Sequence, residues 1–167
     1  MSEKTTKALK RPDWTDYFMT ILDAVATRGT CLRAKCGCVI TRDNVILSTG
    51  YNGAPAGAPQ CDEIGCLIEE TKHADGHTSK HCRRTVHAEA NAILQAAKNG
   101  TGIRDGVLYC GMTPCRDCAM LVVNAGIKKV IVKKDYHESA ESKEMFQNAG
   151  VELIILDESV QKPGEKI

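Results

Sequence analysis

The chain has 167 residues, of which 43% are hydrophobic and 26% charged, and its formal net charge is +1. That length fits one domain with a substantial core, and the cancelling charges give no basic stripe for a phosphate backbone, so no nucleic-acid partner is expected. No apolar run reaches the length of a membrane span, and the polar start MSEKTTKALKR lacks a secretory signal, so a cytoplasmic protein with no membrane partner is expected.

Residues 1–12 read as a flexible tail ending at Pro12. The domain is expected over 13–157. Asp13 is placed to cap a helix whose apolar face is Trp14, Tyr17, Phe18, Ile21, Leu22 and Val25, with Gly29 to stop it. Cys36–Ile40 and Val45–Ser48 read as a hairpin turned at Arg42-Asp43-Asn44. Gly50-Tyr51-Asn52-Gly53-Ala54-Pro55 follows, and its glycines allow the backbone to approach a ligand closely, although a plain turn would use them too.

Residues 54–85 form a Cys/His-rich insert of little hydrophobic periodicity, with Cys61, Cys66, His73, His77, His81 and Cys82. A loop so long is normally functional or pinned, and a second, structural zinc on Cys31, Cys61, Cys66 and Cys82 would pin it, with His77 or His81 able to replace one sulfur. The alternative is a mobile flap. Nine cysteines without an export signal fit thiols and metal sites better than disulfides. Cys36, Cys38 and Cys110 fall on strands and read as buried apolar residues.

Helical spacing continues over 86–99, 115–125 and about 139–148, alternating with strands at Val107–Cys110, Val130–Val132 and Val151–Leu156. This alternation predicts an α/β sheet with helices on both faces. Residues 158–167 read as a polar tail containing Pro163-Gly164.

The chemistry concentrates in two helix starts, Val86-His87-Ala88-Glu89 and Thr113-Pro114-Cys115-Arg116-Asp117-Cys118. If His87, Cys115 and Cys118 hold zinc, one tetrahedral position is left for water, as in a catalytic rather than a structural site. A helix N-terminus favours thiolate over thiol. Glu89, two residues past His87, would carry the proton without binding the metal. His-x-Glu followed by Pro-Cys-x-x-Cys is the signature of zinc-dependent nucleobase deaminases. A non-catalytic zinc-stabilised binding module is the reading from another class, and the incomplete ligand set beside Glu89 speaks against it. Arg33, Lys35, Arg83 and Arg84 flank the substrate's expected approach, as phosphate holders or as ordinary solvated charge.

Thr30-Cys31-Leu32-Arg33, the Gly-Tyr-Asn-Gly-x-Pro stretch, Cys61-Asp62-Glu63-Ile64-Gly65-Cys66 and the two zinc motifs together resemble microbial deoxycytidylate (dCMP) deaminases, over about residues 14–156. The resemblance implies a three-layer α/β/α cytidine deaminase-like fold with a five-stranded mixed sheet, and homohexamers. It implies hydrolysis of dCMP to dUMP and ammonia, which supplies thymidylate synthesis, with dCTP activating and dTTP inhibiting many members and Mg2+ accompanying such an effector. It further implies that the Ala88 N–H holds the pyrimidine carbonyl and that Asn52 reaches the sugar. Two departures are Cys36-Gly37-Cys38, where many relatives have Val-Gly-Ala, and Ala90, where they have Gln. Deaminases of tRNA adenosine, of free cytidine, which usually have Cys where this chain has His87, or of a riboflavin-pathway aminopyrimidine remain alternatives.

Overall fold

A computed structural model of the chain describes residues 11–72, 76 and 78–161, the last few as backbone. The first helix, α1 (Trp14–Ala26), is capped by Asp13, whose Oδ1 accepts from the Asp16 N–H at 2.9 Å. It buries Phe18, Met19 and Leu22, while Trp14 and Tyr17 remain largely exposed, so the inward face is narrower than the spacing predicts. Strands β1 (Gly37–Arg42) and β2 (Val45–Tyr51) pair antiparallel, with Arg42 opposite Val45. Between them Asp43 and Asn44 take φ of 53° and 61°, the left-handed pair that a two-residue hairpin turn requires.

The insert holds a short helix, α2 (Cys61–Ile64), and an antiparallel pair, β3 (Ile68–Lys72) and β4 (Thr78–Cys82). This corrects the expectation of an irregular loop. Every residue of β3 is exposed and β4 buries only Ser79, so the ladder has no buried apolar face and leaves no alternation in the sequence to reveal it. His73 and His77 lie outside the described residues.

Then come α3 (Ala88–Lys98), β5 (Val107–Met112), α4 (Arg116–Asn124), β6 (Lys129–Tyr136), α5 (Ala140–Ala149) and β7 (Glu152–Gln161). The main sheet has five strands in the order β2-β1-β5-β6-β7. It is mixed: β1 is antiparallel to β2 and β5, whereas β5, β6 and β7 run parallel. Strand β7 continues past the expected end of the domain at Asp157, because its pairing with β6 resumes at Asp135↔Val160 and Tyr136↔Gln161. Of the expected tails, residues 1–10 and 162–167 lie outside the described residues.

Alternation sorts the helices into layers. Tyr109 meets Phe18 of α1 on one face, their rings 5.1 Å apart. On the other face Ser48 donates to the Ala92 carbonyl of α3 at 2.7 Å, and α3, α4 and α5 pack in succession. Gly50 permits the closest approach, for a Cβ there would lie 2.3 Å from the Ala88 oxygen and the Ala92 nitrogen. The result is the α/β/α sandwich. Its core includes Val39, Ile40, Leu108, Val130, Val132 and Phe146, all buried, and Cys38 and Cys110 are buried side by side within it, as expected.

Candidate active site and a second cysteine cluster

Both catalytic motifs place a donor at the cap of a helix. His87 caps α3 and Cys115 caps α4, each with extended backbone, and neither side chain makes a capping hydrogen bond. They turn toward each other, and Cys115 also meets Cys118 in the first turn of α4. His87 Nδ1 lies 3.4 Å from Cys115 Sγ and 3.5 Å from Cys118 Sγ, and the three ligand atoms fall within 4.8 Å of one another. Glu89, in the first turn of α3, brings Oε2 to 3.8 Å from Cys118 Sγ.

The electrostatics fit a cation at this point. The hydrogen bond from Cys118 draws Cys115 down to about 4 against burial, and His87 adds to the effect. The same bond pushes Cys118 up. The hydrogen bond to Cys115 raises His87 to about 9, while burial of its carboxyl raises Glu89. Two sulfurs and an imidazole nitrogen that already share protons offer zinc its preferred donors. His87 is accessible and Cys118 is buried, so the cluster is held from beneath and open above.

The Gly-Tyr-Asn-Gly stretch is laid along this site. Gly53 and Val86 exchange backbone hydrogen bonds of 3.2 and 2.8 Å, and Asn91 donates to the Tyr51 carbonyl at 2.7 Å. Asn52 is buried. Its side-chain oxygen accepts from Cys36 N–H at 2.9 Å and its NH2 donates to the Ala34 carbonyl at 2.8 Å, which fastens residues 34–36 beside the site. Ala88, as the first residue of α3, has an N–H with no carbonyl of its own helix to meet.

Among the described residues a second group gathers metal-binding atoms: Cys61, Cys66 and Cys82, with Cys61 and Cys82 sulfurs 3.8 Å apart. Cys31 is buried but outside this group, and His81 faces Glu138 at 3.5 Å, so the structure brings together three of the four expected cysteines. Burial raises Cys61 to about 12; for Cys82 burial acts upward too, but backbone bonds from Arg84 and Leu67 outweigh it and lower the thiol. Gly65 turns the chain between Cys61 and Cys66 at a φ of 84°, and Arg84 Nε donates to its carbonyl at 3.2 Å.

The basic residues have protein partners. Arg33 donates to the Lys80 carbonyl at 2.6 Å, Lys35 to the Thr27 carbonyl at 3.3 Å, and Arg83 pairs with Glu69. Sequence reasoning passed over Gln60, whose Oε1 accepts from Thr30 at 2.8 Å and from Ala54 N–H at 2.9 Å, locking the insert to the Gly-Tyr-Asn-Gly stretch. The motif Gln60-x-x-Glu63, a capping box, was the available signal.

A mixed sheet with a His/Cys/Cys cluster and a carboxylate at paired helix N-termini is the arrangement found in zinc-dependent nucleobase deaminases. The family model described as "Cytidine and deoxycytidylate deaminase zinc-binding region" matches residues 12–134. The chain is 38% identical over 154 residues to ComE operon protein 2 of Bacillus subtilis, covering 91% of this chain and 77% of that one. It is 36% identical over 143 residues to the deoxycytidylate deaminase of Schizosaccharomyces pombe, covering 86% of this chain but 44% of the relative. The chain thus spans under half the length of that relative. The structure of the cyanophage S-TIM5 dCMP deaminase in complex with dCMP and dUMP superposes with a TM-score of 0.68 at 26% identity, covering 95% of this chain and 100% of that one. The chain belongs to the cytidine and deoxycytidylate deaminase family.

Proposed function

We propose that the chain hydrolyses dCMP to dUMP and ammonia, with His87, Cys115 and Cys118 holding zinc, Glu89 as the catalytic proton carrier, and Asn52 and Ala88 meeting the substrate. The observation that carries this reading is the convergence of one imidazole and two sulfurs within 4.8 Å of one another, beside a carboxylate outside the donor set. Relatives named deoxycytidylate deaminase and the phage enzyme seen with dCMP and dUMP support the choice of substrate.

Zinc held by this triad would supply a water that ionises near neutral pH. Glu89 takes the water's proton and delivers it to N3, which makes C4 electrophilic. The water oxygen adds at C4 and remains as the carbonyl of dUMP. Glu89 then moves the remaining proton of that water from the C4 hydroxyl to the amino group, which leaves as ammonia as the C4 carbonyl forms. Ala88 N–H would hold the pyrimidine carbonyl, and the second amide N–H of Asn52, beyond the one given to Ala34, would meet the sugar.

Cys61, Cys66 and Cys82 would hold a second, structural zinc that ties α2 to β4. Nine free cysteines support a reducing, cytoplasmic setting, and among the described residues no helix is long and apolar enough to cross a membrane. Homohexamers and control by dCTP and dTTP, with Mg2+ on the effector, rest on the family resemblance. The test is ammonia release from dCMP, dCTP, CMP, deoxycytidine and a tRNA loop, with and without dCTP and dTTP. Release greatest from dCMP supports the reading, and release from another substrate alone overturns it.

A further inference from the structure

The catalytic cysteines stand just past the point where the β5–β6 ladder ends. Met112 still pairs with Lys134, and the Thr113 N–H still reaches the Lys134 carbonyl at 3.1 Å. Beyond it a side chain takes over the connection. Thr113 Oγ1 donates to Asp135 Oδ1 at 2.9 Å, and both residues are buried. Pro114, also buried, follows with its fixed φ, and Cys115 caps α4 directly after it.

Asp135 sits at a break in the sheet. The β6–β7 register is regular up to Lys134↔Asp157 and then jumps to Asp135↔Val160. Such irregularities beside active sites re-aim a side chain. The re-aimed carboxylate is held from several directions: Ser139 Oγ donates to Oδ1 at 2.8 Å, Tyr136 N–H at 2.9 Å, and Lys143 Nζ donates to Oδ2 at 2.5 Å. Burying a charged carboxylate is costly, and an apolar residue would fill such a site with less desolvation. Its placement instead gives Oδ1 three donors, one of which is the residue that leads into Pro114-Cys115.

We propose that Asp135 is a positioning residue for the catalytic metal centre, acting through Thr113 to fix the corner that carries Cys115. The 136–139 turn and Lys143 of α5 hold the carboxylate rigid, and Thr113 passes that rigidity to the ligand loop. Partners of this second layer typically change metal affinity or activity by about 10–100-fold when removed. The inference rests on the zinc-deaminase reading for its turnover assay but not for its metal assay.

The test compares T113V, which keeps the side chain's shape and removes the hydroxyl, with T113S, which keeps the hydroxyl, and with S139A as a variant that touches Asp135 but not the corner. Zinc loss to a chelator and dCMP turnover are measured on each. The expected result is that zinc leaves T113V about tenfold faster than wild type, that kcat falls while KM stays within about threefold, and that T113S restores both. S139A, which removes one of the three donors to Asp135 Oδ1, should lose zinc at a rate between those of wild type and T113V. Should T113V be insoluble, T113A against T113S makes the same comparison. The proposal is overturned if zinc leaves the hydroxyl-free variant no faster than wild type, whatever happens to turnover, or if T113S loses zinc equally fast. A wild-type chain that holds zinc but leaves dCMP unchanged would refute the substrate reading and leave the zinc-loss comparison valid.

Discussion

In the proposed reaction Glu89 is the side chain with the most specific task. It lies in the first turn of α3, 3.8 Å from Cys118, and burial raises its carboxyl, so it keeps a proton more readily than a surface glutamate. E89Q should keep zinc content and fold and lower kcat by a factor of about 10²–10⁴, the usual share of general acid–base catalysis. Steady-state kinetics with metal analysis on the same sample checks this. Asp135 contributes differently. Burial alone would raise its carboxyl, but bonds from Lys143, Ser139 and Thr113 outweigh that and lower it. A lowered carboxyl stabilises the fold fully above its unfolded value of about 3.9 and loses that contribution as pH falls through the folded value. D135N should therefore be less stable than wild type near neutral pH, with the gap closing below about pH 3.9 in urea titrations. His87, Glu89, Cys115 and Cys118 were legible in the sequence because few residue types bind zinc and the spacing puts them at helix starts. Asn52 was legible only through the family resemblance, and Asp135 was not: whether a buried carboxylate serves the site or the backbone depends on partners far along the chain, as with Asp135 and Thr113, 22 residues apart.

At the scale of elements, the site depends on how closely α3 lies on β2. Gly50 sets that distance, since a Cβ there would sit 2.3 Å from backbone atoms of Ala88 and Ala92. G50A should cost about 1–3 kcal/mol of stability, as overpacking does, and should weaken zinc binding by lifting the helix that begins after His87. Urea denaturation and zinc analysis measure both. The β3–β4 insert has almost no buried apolar face, so its order is expected to come from Cys61, Cys66 and Cys82. C66S should lower zinc by about one ion per chain and the melting midpoint by about 5 °C or more, consistent with loss of a structural metal. The helices and central strands were legible from periodicity, and Asp13 and the Asp43-Asn44 turn from local chemistry. The hairpin in the insert was not, because exposed strands carry no hydrophobic alternation, and neither was the full length of β7, because its pairing resumes after a register break.

For the molecule as a whole, the mixed sheet brings two distant motifs to one place. Strand β5 ends where α4 begins, β2 leads past Gly50 to the stretch against Val86, and so the caps of α3 and α4 meet at one edge of the sandwich. The fold class followed from alternating strands and helices, whereas strand order and direction came from the structure, since periodicity says nothing of which strands are neighbours. The most direct measurement is the conversion of dCMP by the zinc-loaded chain in water enriched in oxygen-18, with the product analysed by mass. The account predicts dUMP carrying one labelled oxygen for each ammonia released. No dUMP from a fully zinc-loaded chain, or dUMP without the label, would contradict it.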